Sequence, residues 1–176
     1  MKAVLALLLA AVAVTASAAF AAQGDQGKSP AQVCKTELAT LGAANFKSLY
    51  SPGGSGANAM GKCVSKHAKA AAANQTNAAK ACKAEMAMPE AAFRAAHNGM
   101  SFAEFYGKNK NDRNAYGKCV SSKAKTANEQ QEAKLMKAAK ACKAERAADR
   151  TAFTAKYGGK ASSAFGKCVS STSKKQ

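Results

Sequence analysis

Ala139-Lys140-Ala141-Cys142-Lys143-Ala144-Glu145 opens, and Gly166-Lys167-Cys168-Val169-Ser170 closes, a unit that this chain carries three times. Cys34-Lys35-Thr36-Glu37 is closed by Gly61-Lys62-Cys63-Val64-Ser65, and Cys82-Lys83-Ala84-Glu85 by Gly117-Lys118-Cys119-Val120-Ser121. The opening segment, clearest over residues 132–148, has helical period. Leu135, Ala138, Ala139 and Cys142 fall on one face, and Lys134, Lys137, Lys140 and Lys143 spread over the other. The opening Cys therefore lies on the buried stripe of a helix. The spacing predicts an all-α fold of three tandem disulfide-stapled helical hairpins, joined by long helices.

The cysteines are read as disulfides because the N-terminus reads as an export signal. Lys2 precedes the apolar run from Val4 to Val14, and Ala19-Phe20-Ala21 offers a small-x-small cleavage pattern. Thr15 and Ser17 keep the run short of the roughly 18–20 residues that a membrane span needs. No second apolar stretch follows, so the mature chain is expected without a transmembrane segment, outside the cell or in the envelope or periplasm. In such a compartment thiols oxidise, and an even cysteine count at regular spacing implies a disulfide framework. The repeat selects the pairs Cys34–Cys63, Cys82–Cys119 and Cys142–Cys168. Each closure contributes roughly 3–4 kcal/mol in a chain-entropy treatment.

Large apolar side chains are scarce. The 47% hydrophobic content is mostly alanine, and the chain has no Trp, 7 Phe and 4 Tyr. Alanine buries little area at roughly 25 cal/mol per Å². Three small cores, one per unit, are expected rather than one large one. The net charge is +17, from 27 Lys and Arg against 10 Asp and Glu. Such an excess attracts anionic polymers and surfaces in a salt-dependent way. Arginine occurs only as Arg94, Arg113, Arg146 and Arg150, which points away from bidentate reading of bases and so from specific nucleic-acid recognition. Lysines on Ala-rich helices also serve simply as a solvated face.

The organisation expected is a signal peptide over 1–22, a flexible N-terminus over 23–32, repeats over 33–69, 70–125 and 126–173, and a short tail over 174–176. Within each unit a breaker follows the opening helix: Gly42, Pro89 or Asp149. A short aromatic segment comes next, around Phe46, Phe93 or Phe153. The closing helix is expected to start at Asn58, Asn114 or Ser163, residue types that favour N-caps. Met60, Tyr116 and Phe165 stand three before each closing Cys and read as core around the disulfide. Residues 62–88 and 118–157 contain no Gly. Long, bent helices would carry the closing Cys of one unit and the opening Cys of the next, with sulfurs pointing to different sides in an elongated, staggered array. Breaks at Asn74-Gln75-Thr76-Asn77 and Thr126-Ala127-Asn128-Glu129 would instead fold the units into a bundle.

Three stretches carry a further likeness: 139–149, 152–158 and Asn114-Ala115-Tyr116-Gly117-Lys118-Cys119-Val120-Ser121. They resemble a repeat of secreted, Ala- and Lys-rich bacterial proteins to which no activity is assigned. The resemblance covers repeats two and three and, more loosely, repeat one, where an extra residue at Gly42 to Asn45 shifts Phe46. It implies export and repetition and carries no site.

Catalytic constellations are thin. His67 and His97 occupy non-equivalent positions, and the other units have Lys123 and Thr172 where unit one has His67, as at a tolerant, partly exposed position. Glu37, Glu85 and Glu145 each stand three after an opening Cys and are expected to pair with a neighbouring Lys. No enzymatic activity and no cofactor are expected. Met86, Met88, His97 and Met100 are soft or borderline ligands that would suit Cu(I), although Met86 aligns with Leu38 as core. Cys-x-x-Cys is absent, which argues against a zinc site from the cysteines and against the usual redox motif. Unit two carries an insert whose Phe102, Phe105 and Tyr106 share a helix face; it reads either as added core or as a ridge for a protein partner. The leading expectation is an exported, non-enzymatic structural or binding protein that engages anionic envelope polymers, lipid surfaces or polyanions. The alternatives are a protein–protein module built on that ridge, and a soft-metal binder.

Overall fold

The computed structural model describes residues 27–53, 56–107, 113–158 and 160–176, and among these there are helices and no strands. The elements are α1 (Pro30–Leu41), α2 (Ala43–Tyr50), α3 (Ala59–Met86), α4 (Glu90–Ala96), α5 (Phe102–Gly107), α6 (Ala115–Ala148), α7 (Arg150–Lys156) and α8 (Ala161–Ser173). The export signal expected over 1–22 lies outside the described residues. No helix among the described residues is long and apolar enough to cross a membrane.

The three disulfides are Cys34–Cys63, Cys82–Cys119 and Cys142–Cys168, closing separations of 29, 37 and 26 residues. They join α1 to α3, α3 to α6, and α6 to α8, so each long helix is stapled twice. All six cysteines are buried. α3 runs for 28 residues and α6 for 34, about 42 and 51 Å at a rise of 1.5 Å per residue. Both are continuous through the polar runs that could have broken them. Those runs instead form an inter-helix contact: Asn74 Nδ2 donates to Asn128 Oδ1 at 2.8 Å and to Gln131 Oε1 at 3.3 Å.

The expected elongated array is not what forms. α3 and α6 pack antiparallel along one another, with Ala78 and Ala124 buried. Small side chains let the two backbones approach, and the turn through α4 and α5 sends the chain back. Units one and three thereby meet and share one core. It contains Leu41, Phe46, Leu49 and Tyr50 from the first and Leu135, Phe153, Phe165 and Val169 from the third. At the contact between α2 and α8, a Cβ on Gly166 would lie 2.5 Å from the Ser48 carbonyl oxygen and 3.3 Å from Leu49 Cα. The equivalent Gly61 and Gly117 face open space. Three separate cores thus become two. Unit two keeps its own, built on Phe93.

Local starts and stops follow the expected chemistry in part. Gly42 ends α1 with φ 79°, and Asp149 caps α7 by accepting from Ala152 N at 2.9 Å. Ser29 and Gln32 form a reciprocal capping box across Pro30, the first residue of α1. α1 therefore begins inside the stretch expected to be flexible. The closing helices depart from expectation. Asn58 and Asn114 stand at N-cap positions without a side-chain cap bond, and Ser163 lies inside α8, which starts after Lys160. Phe165 is fully buried and Met60 packs on the core, but Tyr116 is 40% exposed and donates to the Ala79 carbonyl. In unit two the α3–α6 pairing, rather than an aromatic at this position, covers the disulfide.

Candidate functional site

The polar chemistry of the molecule gathers beside the disulfides. Each opening helix presents a Glu one turn after its Cys, and each aromatic segment ends in a Tyr that reaches this Glu. Tyr50 donates to Glu37 Oε2 at 2.5 Å, Tyr106 to Glu85 Oε2 at 2.9 Å and Tyr157 to Glu145 Oε2 at 3.0 Å. The closing Cys Sγ lies 3.5, 3.9 and 3.9 Å from the same carboxylate oxygens. A disulfide sulfur carries no proton, so these are contacts rather than hydrogen bonds. The expected Glu–Lys pairs along one helix are therefore replaced by bonds between elements. Helical period brings Cys and Glu to one face, and the Tyr arrives from across the hairpin.

The units differ in the group that faces the other carboxylate oxygen. In unit two, Lys123 Nζ lies 2.9 Å from Glu85 Oε1. In unit three, Lys156 Nζ lies 2.6 Å from Glu145 Oε1. In unit one the partner is an imidazole: His67 Nε2 lies 2.9 Å from Glu37 Oε1 and 3.2 Å from the Tyr50 hydroxyl. The Glu37 side chain is fully buried and that of His67 only 13% exposed. His67 is thus partly exposed, as expected, and its ring nitrogen joins the network around the buried Glu37. Its placement four after Cys63 turns it to the disulfide face, where Lys123 also points.

Electrostatics follow these contacts. Burial, reinforced by the Glu37 carboxylate, drives the Tyr50 hydroxyl far above its ordinary range. Burial pushes Glu85 upward, but hydrogen bonds from Lys123 and Tyr106 outweigh it and leave the carboxyl below its ordinary value. Glu85 in turn raises Lys123. The hydrogen bond from Lys156 lowers Glu145, and the same bond raises Lys156.

The lysine of each Gly-Lys-Cys signature is also engaged. Lys62 donates to Ser51 Oγ at 3.4 Å, Lys118 to the Gly107 carbonyl, and Lys167 lies against Gly158. Each reaches the residue after the unit's tyrosine, closing the hairpin.

The other candidates fall elsewhere. Phe102, Phe105 and Tyr106 are half-buried and turn toward Phe93, with ring centroids 5.5, 6.2 and 6.5 Å away. They act as the core of unit two. His97 stacks on Phe93 at 3.8 Å, and its Nδ1 meets the Phe93 carbonyl. Met86, Met88 and Met100 are exposed, so Met86 does not serve as core. Sequence reasoning missed the tyrosines as partners of the glutamates. Their signal was a Tyr before a turn in every unit: Tyr50-Ser51-Pro52-Gly53, Tyr106-Gly107 and Tyr157-Gly158. Comparison with protein-family models, with curated proteins and with solved structures gives no match.

Proposed function

We propose that this chain is an exported, non-enzymatic binding protein whose lysine-rich surface engages anionic envelope polymers or lipid surfaces through long-range charge. The observation that carries this is a row of unpaired lysines on a rigid helix. Lys134, Lys137, Lys140 and Lys143 are exposed along α6, with no acidic partner among the described residues. They lie opposite the buried stripe of Leu135, Ala138, Ala139 and Cys142. The chain as a whole has +17 charge with few arginines. Point charges on a stapled scaffold suit a diffuse anionic surface better than one shaped anion.

The experiment is retention on heparin and on vesicles with and without anionic lipid. Binding at low salt should fall steeply as salt rises. Reversing Lys137, Lys140 and Lys143 to Glu should weaken it more than reversing Lys62 and Lys118, which serve the fold. No retention at low salt on either support would end the proposal.

A further inference from the structure

We propose that unit one holds a redox-gated site for a divalent transition-metal ion of the zinc type, formed by Cys34, Cys63, His67 and Glu37 when their disulfide is reduced. It is independent of the anionic-surface reading, and two helices held together supply the close sulfurs that the missing Cys-x-x-Cys spacing would otherwise give. The donors come in two helical pairs, Cys34 with Glu37 on α1 and Cys63 with His67 on α3. Spacings of three and four put each pair on one face, and the disulfide holds the two faces together.

The geometry is that of a ligand cluster. The two sulfurs and a His67 ring nitrogen lie within 4.8 Å of one another. The Glu37 carboxylate touches both sides, 2.9 Å from His67 Nε2 and 3.5 Å from Cys63 Sγ. Metal–ligand bonds of about 2.0–2.3 Å place neighbouring donors roughly 3–4 Å apart, so the imidazole already lies near ligand spacing, while the two sulfurs must part once their bond is broken and Glu37, outside the three-donor cluster, must swing toward Cys34 to complete the set. The Tyr50 hydroxyl already orients the carboxylate from outside the cluster. His67 also lines a groove of about 120 Å³ with Lys28, Val33 and Glu132, so the cluster borders the surface through its imidazole.

Oxidised, the sulfurs are bonded to each other and ligate nothing. A dithiol reductant passes two electrons and two protons to the disulfide. The Cys34–Cys63 bond breaks, two thiols form, and the dithiol closes to its own disulfide. Placing two thiolates in this fully buried site is costly without a compensating cation. The metal ion supplies it: it displaces both thiol protons to solvent and takes two thiolates, the imidazole and the carboxylate. Units two and three do not offer this set. Their equivalents of His67 are Lys123, already held by Glu85, and Thr172, whose hydroxyl lies 3.9 and 4.0 Å from its two sulfurs.

The test uses the full chain, reduced with a water-soluble phosphine, freed of it under nitrogen and titrated with Co²⁺. Thiolate-to-cobalt absorption reports binding and circular dichroism reports helix content. The oxidised chain should take up none and the reduced chain one equivalent. His67→Lys should weaken uptake by roughly tenfold or more with helix content kept. Lys123→His, beside Cys119 and Glu85, should add a second equivalent. Three results would overturn the proposal: His67→Lys binding like the unaltered chain, equal uptake by the oxidised chain, or loss of helix on reduction that Co²⁺ does not restore.

Discussion

The two ends of the α3–α6 pair are built from the same signatures and settle differently. At one end units one and three merge into a single core, with α8 laid on the α2 backbone at Gly166. At the other, unit two stands alone and fills itself with Phe102, Phe105 and Tyr106 around Phe93. A unit with so few large side chains needs either a neighbour or an insert. The insert in unit two therefore substitutes for the docking that units one and three give each other.

The largest expected effect separates unit one from unit three. Glu37→Ala leaves the Tyr50 hydroxyl and the His67 imidazole without their hydrogen-bond partner and should cost about 1–3 kcal/mol for each orphaned group in denaturant unfolding. Glu145→Ala, whose ion pair is at the surface, should cost several-fold less. Equal costs would contradict the burial difference between these two networks. Next comes the glycine comparison. Gly166→Ala drives a methyl into the Ser48 carbonyl and should destabilise by about 1–3 kcal/mol. Gly117→Ala meets nothing and sits in a helix, so it should stabilise by roughly 0.5–1 kcal/mol. Matching thermal shifts for the two would remove the docking argument.

The smallest effect is a pH dependence of unit two. Glu85 is lowered in the folded protein from 4.5, so its contribution is present above 4.5 and is lost as pH falls through the depressed value. Lys123 is raised from 10.5, so its contribution is full below 10.5 and is lost as pH rises through the raised value. Between those limits the pair should add up to about 1 kcal/mol, because both groups are partly exposed. Lys123→Met should flatten the acid limb as well as the alkaline one.

Much of this fold was legible because cysteine spacing and helical period are local. The repeated signatures give the three staples, and the stripe of Leu135, Ala138, Ala139 and Cys142 is buried as its period requires. The fold-back was not legible, because nothing along the sequence distinguishes Gly166 from Gly61 or Gly117; only the neighbour that arrives does. Asn74 and Asn128 misled for a related reason, since an amide that can break a helix can equally bond to the next one. The Glu–Tyr pairs were hidden because the tyrosines join the carboxylates through the hairpin, not along a helix. His67 looked tolerant beside Lys123 and Thr172. His67 and Lys123 put different groups against the carboxylate from that position, whereas in unit three Thr172 takes it and Lys156 reaches Glu145 from α7.

The most direct test of the shared core is a nuclear Overhauser measurement between the α-protons of Gly166 and Leu49. A strong contact is expected, since a Cβ on Gly166 would sit 3.3 Å from Leu49 Cα. Its absence, with α2 and α8 both intact by chemical shift, would contradict the docking of units one and three.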